Sequence, residues 1–104
     1  MKLEQSFGET VKRLREKKNL PLRAVAEALN IDTSTLGKIE KNNRKPTKQL
    51  IDKFARYFKA SEKELLIAFL SDKVVYQVMD EEDLSIEVLK AAEQKIKYLN
   101  RSNL

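Results

Sequence analysis

Apolar residues recur three and four positions apart along most of this chain, the period of amphipathic helices rather than of strands. Phe7, Val11 and Leu14 form the first such stripe, while Lys12, Arg13, Glu16 and Lys17 fall on other faces. Ser6-Phe7-Gly8-Glu9 fits a capping box, in which the Ser6 hydroxyl accepts from the third helical N–H and Glu9 reaches back, so a first helix is expected over 7–18. Leu20-Pro21 interrupts it, because proline disfavours helical geometry in the residue before it yet is welcome near a helix start. Leu22, Val25, Ala26 and Leu29 predict a short second helix, closed by Asn30, whose residue type tolerates the left-handed conformation.

Asp32 is a good N-cap, and Leu36 with Ile39 makes an i, i+3 stripe, so a third short helix is expected over 33–41, closed by Asn42-Asn43. Thr47 caps a fourth helix with the apolar face Leu50, Ile51, Phe54, Ala55 and Phe58. Ser61-Glu62-Lys63-Glu64 repeats the capping-box pattern and opens a fifth with Leu65, Leu66, Phe69 and Leu70. The stretch VVYQVM at 74–79 has β-branched, strand-like content but continues a helical pattern, and the helical continuation is expected. After the acidic run DEED at 80–83, Val88, Leu89, Ala92, Ile96 and Leu99 share one face of a final helix from Leu84 to Leu99. Acid at its start and Lys95, Lys97 and Arg101 at its end complement the helix dipole. The expected fold class is therefore all-α, with a five-helix domain over 1–72 and a C-terminal helical extension over 73–104.

Composition narrows the function classes. The absence of Cys and His removes disulfides, thiolates, the usual metal ligand and the neutral-pH base, so neither an enzyme nor a metal or cofactor site is expected. No paired-carboxylate or phosphate-loop pattern offsets that absence. No stretch approaches the ~20 apolar residues that span a bilayer and the N-terminus lacks a signal-type segment, so the expected address is the cytoplasm. Residues 1–60 hold 15 Lys/Arg against 7 Asp/Glu, whereas 61–104 hold 6 against 9. The basic half implies a polyanion partner or an ordinary solvated basic surface, and the acidic remainder implies a separate task.

The sharpest feature is the pair of short helices at 22–29 and 33–41 joined by a tight turn, with Ala26, Ile31, Leu36, Ile39 and Glu40 in series and RKPT following. This spacing resembles the Cro/C1 repressor-type (XRE-like) helix-turn-helix family over roughly residues 7–70. The resemblance implies a lambda-repressor-like five-helix domain in which the third helix enters the DNA major groove. It also implies a structural ion pair between Arg15 and Glu40, rather than a catalytic role for Glu40. Family members usually carry a Ser or Thr cap followed by Gln at the start of the second helix where this chain has Pro21-Leu22, and usually glycines where it has Asn30 and Asn42.

Under the resemblance, Thr33, Ser34 and Thr35 offer hydroxyls and methyl or methylene groups to phosphates and base edges, and Gly37 gives close access. Lys38, one turn after Ser34, is the expected specificity determinant, able to donate to guanine O6 or N7. Arg44 and Lys45, together with Arg23 and Lys41, are expected to grip the backbone. Read without the resemblance, the same hydroxyls are helix caps and Lys38 is a surface lysine. The phenylalanines sit at core spacing and are read as packing.

Expected partners are double-stranded DNA and a second copy of the chain, with no membrane and no small-molecule ligand. The stripe Val88, Leu89, Ala92, Ile96 and Leu99 is either the dimer surface or a face that folds back on its own domain. The functional expectation is a DNA-binding transcriptional regulator. The rival reading, encouraged by Leu22, is a protein-interaction module that retains the helix-turn-helix scaffold.

Overall fold

Four backbone amides at the start of an α-helix have no partner within the helix, and in the first helix, α1 (Phe7–Lys17), all four are met from three different parts of the chain. Glu9 N–H donates to the Ser6 hydroxyl at 3.1 Å while the Glu9 carboxylate accepts from Ser6 N–H at 3.4 Å, which is the expected capping box. Phe7 N–H donates to the Asp72 carboxylate at 2.8 Å, and Gly8 N–H donates to the Asn42 side-chain oxygen at 3.1 Å. A carboxylate at this end also opposes the positive pole of the helix. Capping thereby fastens α1 to elements far along the chain.

The computed structural model describes residues 4–102, and the described chain is all-α. After α1 come α2 (Leu22–Leu29), α3 (Thr33–Glu40), α4 (Lys48–Phe58), α5 (Glu62–Val78) and α6 (Ser85–Ser102). A 3-10 segment, Met79–Leu84, separates the last two, with Glu81 leaving helical geometry at φ −110° and ψ 55°. Leu84 therefore ends this segment and does not open α6, because the helical path is broken at Glu81 before it. VVYQV is helical, as its periodicity requires, and completes α5.

α2 and α4 end directly at a residue in the left-handed region, whereas α1 and α3 each reach one two residues after their last helical residue. These residues are Asn19 (φ 54°), Asn30 (φ 56°), Asn42 (φ 62°) and Lys59 (φ 53°). In every case the next N–H reaches back to the carbonyl five residues earlier: Leu20 to Arg15, Ile31 to Ala26, Asn43 to Lys38 and Ala60 to Ala55, at 2.8 to 3.2 Å. These are Schellman endings, normally built on glycine. Neither of the two glycines has positive φ.

The chain divides into two compact units, residues 1–72 and 73–104. Among the described residues, every buried core residue lies between Phe7 and Phe69, hence in the first unit. Phe7 packs edge-on against Phe54 at 5.9 Å and Phe69 at 6.0 Å, joining α1, α4 and α5 through aromatic contact. Leu36 and Ile39 bring α3 into the same core, and Leu22 and Ile31 pack against its margin. In the second unit, neither the 3-10 segment nor α6 contains a buried residue. The end of α5, the 3-10 segment and the start of α6 line a groove with Val75, Val78, Met79, Ile86 and Leu89.

Candidate nucleic-acid interface

The position of α3 is set from its buried side. Leu36 and Ile39 are almost fully buried, and Glu40 at 7% exposure accepts two hydrogen bonds from Arg15, from Nε at 2.8 Å and from Nη2 at 3.1 Å. Arg15 Nη1 also donates to the Leu20 carbonyl at 2.8 Å, so one guanidinium joins α1, the loop before α2 and α3. The hydrogen bond with Glu40 is the main cause that raises the Arg15 pKa above its ordinary value, against the opposing effect of burial. The pair foreseen between these residues is present, and its geometry is the two-pronged one that arginine favours with carboxylate.

The end of α3 is held just as closely. Asn42 accepts from Gly8 N–H through Oδ1 and donates through Nδ2 to the Ser6 hydroxyl at 2.8 Å. A Cβ on Gly8 would collide with the backbone carbonyl of Ile39 and lie 2.6 Å from that of Glu40. Gly8 thus lets α1 touch the last turn of α3. Neither role is local in the sequence, where Asn42 reads only as a substitute for glycine at positive φ. The one available signal was a glycine inside a helical turn with no turn to serve.

These contacts leave one sector of α3 outside. At 100° per residue, Thr33, Gly37, Lys41, Ser34 and Lys38 occupy a continuous arc, and Thr33, Ser34, Lys38 and Lys41 are exposed. Gly37 lies inside this arc, and a Cβ built on it meets no atom within 4 Å. Thr35 is set apart: it is half-buried at the edge of the arc and lines a shallow cleft with Arg44, Glu27, Asn30, Ile31 and Asp32. Asp32 stands at the N-cap with extended geometry, yet its carboxylate makes no capping hydrogen bond. The expectation of a good cap holds for its position and fails for its side chain.

Arg44 and Lys45 are exposed in the loop between α3 and α4. Arg23 on α2 is exposed and lies 3.7 Å from Glu27 one turn on, a loose surface pair. The dimer candidates Val88, Leu89, Ile96 and Leu99 are exposed and Ala92 is half-buried, all on α6.

Two short helices meet at a Schellman turn, with the second clamped from behind and bare in front, and this is a helix-turn-helix of the DNA-binding type. A helix-turn-helix family model matches residues 11–65, and the chain belongs to that family, the Cro/C1 type. It is a family of DNA-binding regulators rather than of enzymes. Among curated proteins and solved structures, none matches the chain. Among the described residues, no helix is long and apolar enough to cross a membrane.

Proposed function

We propose that the protein is a sequence-specific transcriptional regulator of prokaryotic type, acting in the cytoplasm as a homodimer on a palindromic operator. It inserts α3 into the major groove, with Thr33, Ser34 and Lys38 at base edges and Gly37 permitting close approach. Lys41, Arg44, Lys45 and Arg23 hold phosphates, and Thr35 supports Arg44 from the cleft they share. Regulation consists of occupying DNA, so no bond is made or broken.

The observation that carries this reading is Gly37. A glycine inside a helix is less stable than alanine by roughly 0.5–1 kcal/mol, and no neighbour requires it, since its missing Cβ would face open space. A surface that must come close to another molecule explains the missing atom, and the exposed hydroxyls and lysines beside it match the donors and acceptors of base edges and phosphates. The interaction-module alternative loses its main support, because Leu22 is half-buried against the core rather than presented to a partner.

The test is selection of bound sequences from randomised duplex DNA, followed by titration of the selected site against a scrambled one at several salt concentrations. The expected result is a palindromic site bound at least 1,000-fold more tightly than the scrambled duplex. Lys38→Ala is expected to relax one position in each half-site, whereas Lys45→Ala weakens both duplexes alike and, by removing one phosphate contact from each protomer, lowers the salt slope by about 2. Failure to enrich any sequence would overturn the reading.

A further inference from the structure

Among its described residues the second unit is amphipathic and none is buried. Its large apolar side chains are exposed, from Leu89 at 36% to Tyr98 at 69%, apart from the half-buried Val78, and α6 buries none of its residues. Leu89, Ala92, Ile96 and Leu99 follow one another at spacings of three, four and three, the narrow stripe by which one helix packs along another. Such a face needs a cover.

Charge identifies the cover. Residues 80–87 carry five carboxylates, Asp80, Glu81, Glu82, Asp83 and Glu87, and no cation, whereas residues 90–101 carry Lys90, Lys95, Lys97 and Arg101 against Glu93 alone. Glu93 already pairs with Lys97 at 3.0 Å. None of the carboxylates at 80–83 forms an ion pair among the described residues. The helix dipole accounts for charges in the first and last turns only, and Asp80 to Asp83 precede α6 while Lys90 and Lys95 lie well inside it.

On α6, rising 1.5 Å per residue, Glu87 at one end and Arg101 at the other are roughly 20 Å apart. At physiological salt the screening length is about 8 Å, so the arms of one chain do not neutralise each other. A second copy running the opposite way brings each acidic arm against a basic one, twice, by the two-fold symmetry of such a pair. A parallel copy sets carboxylates against carboxylates.

We propose that α6 of this chain pairs antiparallel with α6 of a second copy, the apolar stripe in the seam and the acidic arm of each facing the basic arm of the other. The proposal rests on the homodimer reading above and adds to it a surface, a direction and a salt dependence.

The test uses the full chain and measures its mass by sedimentation equilibrium across a concentration series. In one variant the acidic arm is reversed (Asp83→Lys with Glu87→Lys), in a second the basic arm (Lys95→Glu with Arg101→Glu), and a third carries all four changes. The wild type is expected to dimerise, each single-arm variant to dimerise about 100-fold more weakly, and the four-fold variant to recover to within about tenfold of the wild type. Mixing the two single-arm variants is expected to give a heterodimer.

A wild type that stays monomeric would overturn the homodimer reading and this inference with it. A dimer indifferent to single-arm reversal, or a four-fold variant as weak as the single-arm ones, would overturn the antiparallel pairing and leave the homodimer standing. Because the chain has no Cys, oxidation supplies a second measurement free of charge reversal. Asp83→Cys mixed with Arg101→Cys should cross-link to each other, and preferential cross-linking of either with itself contradicts the direction.

Discussion

Asn42 and Lys59 adopt the same left-handed conformation, at φ 62° and 53°, for different reasons. Glycine is the residue best suited to that backbone. At Lys59 no hydrogen bond depends on the side chain, and Lys59→Gly is expected to raise stability by about 1 kcal/mol in urea denaturation. At Asn42 the side chain holds Gly8 N–H and the Ser6 hydroxyl. Asn42→Gly relaxes the backbone yet leaves a partly buried amide without its acceptor, so a net loss of about 1–2 kcal/mol is expected from the same measurement. Two substitutions to one residue type at one conformation should therefore have opposite signs.

Between elements, the Arg15–Glu40 pair and Gly37 decide how α3 is held and what it presents. Both charged side chains are largely removed from water, with exposures of 13% and 5%. Arg15→Met strands the Glu40 carboxylate, and a loss of about 3 kcal/mol in chemical denaturation is expected. Because the pair raises the Arg15 pKa, its stabilisation through arginine is fully present below the ordinary arginine value and disappears only as pH rises through the higher folded one. Arginine ionisation should therefore add no slope to stability between about pH 6 and 9. Gly37→Ala separates folding from binding: α3 gains about 0.5–1 kcal/mol of stability, while affinity for the selected duplex falls, read by denaturation and DNA titration on one preparation. A gain in both would remove the argument that Gly37 exists for close approach.

At the scale of the whole molecule, the buried core ends at Phe69 and Asp72 closes the cap on α1. A chain ending after residue 72 is expected to unfold cooperatively with far-UV circular dichroism of a helical protein, and with a midpoint within about 1 kcal/mol of the full chain at equal protein concentration, measured where the full chain is monomeric. The truncated chain should remain monomeric at concentrations where the full chain dimerises. Retained dimerisation would place the contact in the first unit.

Much of this architecture was legible in the sequence, because helix periodicity, capping residues and chain breaks act within a few positions of one another. Ser6 with Glu9, Thr47, the break at Leu20-Pro21 and the turn at Asn30 all depend on contacts spanning at most five residues. The Arg15–Glu40 pair, 25 residues apart, was reached through family resemblance and not through any local rule. Other features were decided by tertiary structure alone: the clamp of Asn42 on Gly8, the carboxylate of Asp72 on Phe7 N–H, the idle carboxylate at Asp32, and the open space beside Gly37. Each depends on which distant backbone arrives beside a given atom. Periodicity records only that a face is apolar or polar, and it carries no information about what packing will bring opposite.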